Sequence, residues 1–155
     1  MQRLNFEYHS MKVELYVSSE DIIKILNVFL EAKQMHSTLL GAIFDKIKDD
    51  QQSFSYEIFK ELSIIFAAKV EEPSFRDMFF DKFLQKFIKD LPFLDEDTFY
   101  MIIWSCVKAG RFQGKKDTFE WNAIREIIKK KANELSPEVL TKLVVLSTEI
   151  KEFES

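Results

Sequence analysis

Two histidines, a single cysteine and a few close acidic pairs are the residues of this 155-residue chain that would first suggest catalysis or metal binding. A helical metal pair needs histidines four residues apart, and His9 and His36 lie far from each other with no such partner, so both read as structural or surface residues. Cys106 would need a nearby histidine base to act as a nucleophile and has none in its stretch of sequence. It falls on an apolar stripe where a small hydrophobe is expected. The acidic pairs Glu71–Glu72 and Asp95–Asp97 stand beside expected helix starts, where carboxylates favour the exposed N–H groups. Asp49–Asp50 closes a polar helix. Gly41, Gly110 and Gly114 are too scattered to form a phosphate-cradling loop. The chain therefore reads as a non-enzyme, with no catalytic, cofactor or metal residues and no small-molecule substrate.

Composition narrows the class. Three glycines and three prolines fall far below the usual shares of about 7% and 5%, leaving few sites for tight reversals and favouring an all-helical chain. Hydrophobic residues at 46% and charged residues at 31% suit a folded domain rather than a disordered segment, and the length suits one domain over residues 1–155. A net charge of −4 gives no global attraction to nucleic acid or an acidic membrane. No apolar run is long enough to span a bilayer, and "MQRLNFEYHSMKVELY" lacks a signal-peptide core. One cysteine fits a reducing, intracellular compartment, mitochondrial or cytoplasmic.

Helical spacing organises the rest. Apolar residues recur at i, i+4 and i+7 in Ile22/Leu26/Phe29, Ile58/Leu62/Ile65, Phe99/Ile103/Cys106 and Val139/Leu143/Leu146. The step between these stripes is roughly forty residues, which is the period of helical repeats. Caps precede each stripe: Ser18 or Ser19, Ser55, Asp95 and Ser136. Second amphipathic segments lie between them, at Leu40/Phe44/Ile47, Phe80/Leu84/Phe87 and Trp121/Ile124/Ile128. Asp117 with Glu120 predicts a capping box, and Ser74 with Asp77 a weaker one. Gly110 predicts a left-handed helix end. Near the N-terminus, Leu4, Tyr8, Met11 and Leu15 fit a helix, while Met11, Val13, Leu15 and Val17 alternate as in a strand. The repeat order favours a helix there. The expected architecture is all-α: stacked antiparallel hairpins in a short solenoid, about three hairpins plus half repeats, the last being a helix over residues 136–153 without its partner.

The stretches "SYEIFKELSIIFAAKVEEPSFRDMFFDKFLQKFIKDL" and "DEDTFYMIIWSCVKAGRF" resemble the degenerate repeats of organellar proteins, the heptatricopeptide-type repeats and the repeat region of the Fas-activated kinase-like proteins. Phe99, Ile103, Trp104, Lys108 and Gly110 carry the likeness. The preceding repeat keeps Leu62, Ala68 and Lys69 but has Val70 in place of the glycine. The resemblance implies a curved surface for macromolecules, often mitochondrial, and no active site.

Two candidate surfaces follow. The partners expected are other protein subunits of a larger assembly, met by Leu140, Val144 and Val145, which widen the apolar arc of the last helix, and by Phe79 and Phe83 from the phenylalanine-dense "FRDMFFDKFLQKF". RNA is the alternative partner, met by the basic third hairpin through Arg111, Lys115, Lys116, Lys129, Lys130 and Lys131. Solvated lysines completing a helix C-terminus explain the same run, and base-stacking aromatics are not interleaved with it beyond Phe112 and Trp121. The stripes yield a direct expectation: Leu62→Ala and Ile103→Ala should each lower unfolding free energy by about 2–5 kcal/mol. Chemical denaturation checks this, and near-neutral values at both sites would mean the stripes are misassigned.

Overall fold

Alternation of apolar and polar residues dominates the first seventeen positions, and there the chain forms two antiparallel strands, β1 (Gln2–Tyr8) and β2 (Met11–Val17). The helix favoured by repeat order is thus replaced by a hairpin. Register explains the choice: Leu4 stands opposite Leu15 and Phe6 opposite Val13, so apolar positions of one strand meet those of the other. The computed structural model describes residues 2–8, 11–49, 55–113 and 118–150. Beyond the hairpin, every described element is helical.

The chain divides into two compact units, residues 1–79 and 80–155. The first holds the hairpin, α1 (Ser19–Glu31), α2 (Ser37–Asp49), α3 (Tyr56–Ile64) and the start of α4 (Pro73–Asp90). Ser18 and Asp21 form a capping box at the start of α1, each side chain bonding the other's backbone N–H at 3.2 Å. At α2 the cap is His36, whose Nδ1 accepts the Leu39 N–H at 3.3 Å, which gives this histidine a structural role. Ile22, Leu26, Leu40, Phe44, Ile47 and Leu62 are all buried, as their stripes require.

α3 ends unusually. Ser63, fully buried, returns its hydroxyl to the Phe59 carbonyl at 2.7 Å, and the helix then widens into a π turn over Ile65–Lys69, closed by Val70 N–H to Ile65 C=O at 3.1 Å. Val70 ends this turn, and its backbone is extended. Without a residue suited to the left-handed region, the chain leaves the helix by the wider turn. The core beside it is aromatic. Phe66 stacks on Phe79 at 4.8 Å, and Phe44 meets both rings edge-on at 5.3 and 5.6 Å.

The second unit continues α4 and adds α5 (Glu96–Lys108), α6 (Thr118–Lys131) and α7 (Pro137–Ser147). α4 starts at Pro73, so Ser74 lies inside its first turn and bonds Glu72 at 3.3 Å instead of capping. Asp117 lies outside the described residues. Two corners share one design. After α4 comes a 3₁₀ turn (Leu91–Phe93), an extended Leu94 and the cap Asp95; after α6 comes a 3₁₀ turn (Ala132–Glu134), an extended Leu135 and the cap Ser136. Asp95 accepts from Thr98 N–H at 3.3 Å and Ser136 from Val139 N–H at 3.2 Å.

α5 ends in the expected left-handed glycine. Gly110 has φ 77°, its N–H reaches Val107 C=O at 2.9 Å, and the next N–H, of Arg111, reaches Cys106 C=O at 3.2 Å. A Cβ at Gly110 would meet nothing closer than Gln113 Cγ at 4.0 Å, so the requirement for glycine is conformational, not steric crowding. Gly110→Ala should therefore cost about 1 kcal/mol of stability through its backbone alone. Urea titration checks this; an unchanged midpoint would show that the turn relaxes to a right-handed form.

Candidate docking surface on the last helix

α7 begins with Ser136 as cap and Pro137 in its first turn, and its buried stripe is Val139, Leu143 and Leu146, the three residues expected to face inward. That stripe packs towards α5. The helix ends at Ser147, short of the expected residue 153, where Ser147 and Thr148 turn their hydroxyls onto the carbonyls of Val144 and Val145 at 2.7 and 2.6 Å and compete for the last turn. Residues 151–153 lie outside the described residues.

Ties at both ends fix this helix. The Glu96 carboxylate on α5 accepts the Ser136 N–H, and Lys131 Nζ donates to the carbonyls of Leu91, Pro92 and Leu94 while lying 4.8 Å from the Phe99 ring. At the far end Lys108 bonds Glu149 at 2.6 Å, and Gln113 Nε2 donates to the Glu149 carbonyl at 3.0 Å. Ser136, its hydroxyl first and its N–H second, holds the Glu96 carboxyl below the usual carboxylate range.

With the helix held this way, Val144 and Val145 are 65% and 61% exposed and Leu140 is half-buried. Val144 and Leu140 border a groove of about 190 Å³ between α6 and α7, with Trp121, Ile128, Arg125 and Lys129 across it. Val145 borders a second groove of about 400 Å³ between α5 and α7, where Tyr100, Trp104 and Lys108 stand opposite. None of these facing residues is read from the sequence as a protein contact, and Lys129 is read there as a possible RNA contact. Tyr100 and Trp104 are one turn apart on α5 and carried a readable signal, since both flank its buried stripe.

Other expected site residues lie elsewhere. Phe79 and Phe83 are 0% and 1% exposed and belong to cores, Phe79 against Phe44 and Phe66 and Phe83 stacked on Phe87 at 6.2 Å, so they are not docking residues. Among the large apolar residues the protein exposes, Phe93 and Phe119 are prominent instead. Arg111 is 3% exposed, because the glycine turn folds it back so that its Nη2 donates to Asp81 at 2.5 Å, and it presents no free cation to RNA. Lys131 spends its ammonium on carbonyls, as above. Phe112 and Trp121 are buried against each other at 5.3 Å and are unavailable for base stacking. Lys129 and Lys130 are exposed, and Lys115 and Lys116 lie outside the described residues.

In the first unit a cavity of about 510 Å³ opens where α1 and the π turn end, lined by Phe29, Leu30, Met35, Val70, Lys33 and Lys69. Among the described residues no group of three or more His, Cys, Asp or Glu side chains converges as a metal site, and no helix is long and apolar enough to cross a membrane. Comparison of the chain with protein-family models, with curated proteins and with solved structures gives no match in any of the three.

The Glu96 tie predicts a pH dependence. A carboxyl whose pKa is lower folded than unfolded adds stability above its unfolded value, about 4.3, and loses it as pH falls through the folded value. Asp21, held low first by the Ser18 backbone N–H and then by its hydroxyl, acts in the same sense from its own unfolded value of about 3.9 downward. Glu96→Gln should therefore flatten the decline of the urea midpoint below about pH 4.3 without abolishing it. An unaltered slope would mean that the tie does not discriminate charged from neutral carboxyl.

Proposed function

We propose that this chain is a non-enzymatic helical subunit or adaptor, built from hairpins of the repeat class, that binds other proteins of a larger assembly through α7. The observation that carries this reading is the exposure of Val144 and Val145 on a helix whose ends are tied down, with a groove on either side. A β-branched residue in a helix gains little from the helix itself, and two adjacent exposed valines beside half-buried Leu140 and a tryptophan-lined groove form the kind of apolar strip that protein partners cover. An RNA-binding role is the weaker reading. Of its six candidate cations, Arg111 and Lys131 are engaged inside the protein, and Lys129 and Lys130 are the two described ones that stay at the surface.

Val144→Ser with Val145→Ser provides the test, since substitutions at exposed positions usually change stability by less than about 0.5 kcal/mol. The double variant should fold with unchanged dichroism and denaturation midpoint, while proteins that co-purify with the native chain are lost. Retention of all those partners would reject the reading. Lys129→Gln with Lys130→Gln should leave the same partners bound, because solvated lysines contribute little.

A further inference from the structure

We propose that the cavity of about 510 Å³ in the first unit binds a small zwitterion with an apolar body, a large apolar α-amino acid being the simplest of that class. The site uses none of the α7 residues, so it stands or falls apart from the protein-binding reading, and it implies no reaction. Its volume lies within the roughly 300–1,000 Å³ of small-molecule sites.

Two backbone distortions meet at this cavity. The π turn over Ile65–Lys69 brings Lys69 and Val70 to its wall, and turns of this kind recur at functional sites. Lys33, which also lines it, is the one non-glycine residue with positive φ among the described residues, at 52°. The turn that holds Lys33 is the turn that ends α5. Gln34 N–H reaches Phe29 C=O at 2.9 Å just as Arg111 N–H reaches Cys106 C=O, yet α5 places Gly110 where α1 places a lysine. A lysine kept in a conformation that strains it, where glycine would not be strained, retains its side chain for a use beyond the turn.

The lining is amphiphilic. Phe29, Leu30, Met35 and Phe75 are each half-buried and, with buried Val70, make an apolar floor. Phe29 ends the stripe begun by the fully buried Ile22 and Leu26, so the stripe loses its complete burial where the cavity begins. Exposed Lys33, Lys69, Glu71 and Glu72 make the rim. Both signs are present, yet among the described residues the side chains of Lys33, Lys69 and Glu71 have no ion pair or hydrogen bond, and Glu72 takes only the Ser74 hydroxyl at 3.3 Å. Arg76, one turn along α4 from Glu72, neutralises neither glutamate, and its buried Nε has no hydrogen-bond partner.

Charges of both signs that line one space without satisfying each other fit a ligand that carries both. Its carboxylate would take the lysines, its ammonium Glu71, and its body the floor around Phe29 and Phe75. A ligand with a charge of one sign would leave part of the rim unanswered and lie beside like charge.

Isothermal titration calorimetry of the full chain tests this with L-phenylalanine and three analogues that each lack one part: hydrocinnamate the ammonium, phenethylamine the carboxylate, L-alanine the ring. L-Phenylalanine should bind at least about tenfold more tightly than any of them. Glu71→Gln, at an exposed position, should reduce it to the affinity of hydrocinnamate without weakening hydrocinnamate itself. Lys33→Gln with Lys69→Gln should reduce it to the affinity of phenethylamine without weakening that amine. Lys33→Gly should separate folding from binding, raising the urea midpoint because the turn is relieved while weakening L-phenylalanine.

No heat of binding with L-phenylalanine at about 10 mM overturns the proposal, as does equal affinity for any of the three analogues. So does a Lys33→Gly chain that binds L-phenylalanine as the native chain does, or a Glu71→Gln chain that weakens hydrocinnamate and L-phenylalanine alike.

Discussion

The second unit depends on a reciprocal tie between two corners of the same design. One corner sends Glu96 to the Ser136 N–H of the other, and the other returns Lys131 to the carbonyls of Leu91, Pro92 and Leu94. Each bond joins a charged group to backbone at a 3₁₀ turn or a helix start, where carbonyls and N–H groups lack the full helical ladder. The consequence is geometric. With both corners joined, α7 must lie along α5, and the Lys108–Glu149 pair meets it at the other end. Hydrophobic burial of Val139, Leu143 and Leu146 supplies the driving force; the polar ties choose the register in which it is collected.

Phenylalanine density serves packing throughout. Phe44, Phe66 and Phe79 form one cluster and Phe83 with Phe87 another, so the run from Phe75 to Phe87 supplies rings to the cores of both units from a single helix. A helix that serves two cores needs apolar residues over more than one face, which is why its hydrophobic pattern is broad. The ends of α3 and α5 are built differently. Gly110 permits a left-handed turn that carries Arg111 back to Asp81, and Val70 forces an extended exit through a π turn.

The one-sided stripes were legible because burial against a neighbour repeats at the helical period, and the caps Ser18, Asp95 and Ser136 because few side chains can accept from the free N–H groups of a helix start. The N-terminal hairpin was not, since Leu4, Tyr8, Met11 and Leu15 satisfy both periods and only long-range pairing separates them. In the sequence Arg111 and Lys131 read as surface cations, because charge is the property a sequence displays. Their burial and carbonyl bonding depend on where Asp81 and the 3₁₀ turn fall in space. Phe79 and Phe83 failed for the converse reason: surplus on one helix is not surplus when the helix has two cores to fill. That Leu140, Val144 and Val145 lie off the buried stripe of their helix was legible, but the grooves beside them were not, because each wall comes from a different helix.

The exposed arc of α7 follows from the same constraint that orders its buried face. Rotating the helix to hide Val144 would pull Leu143 and Leu146, now 4% and 3% exposed, out of the core, and would move Ser136 away from Glu96. A helix of eleven residues fixed at both ends cannot redistribute its apolar surface by turning. Concealment of that strip cannot come from rotation of the helix, and on the proposed protein-binding reading the valines are half of a contact rather than a defect in a core.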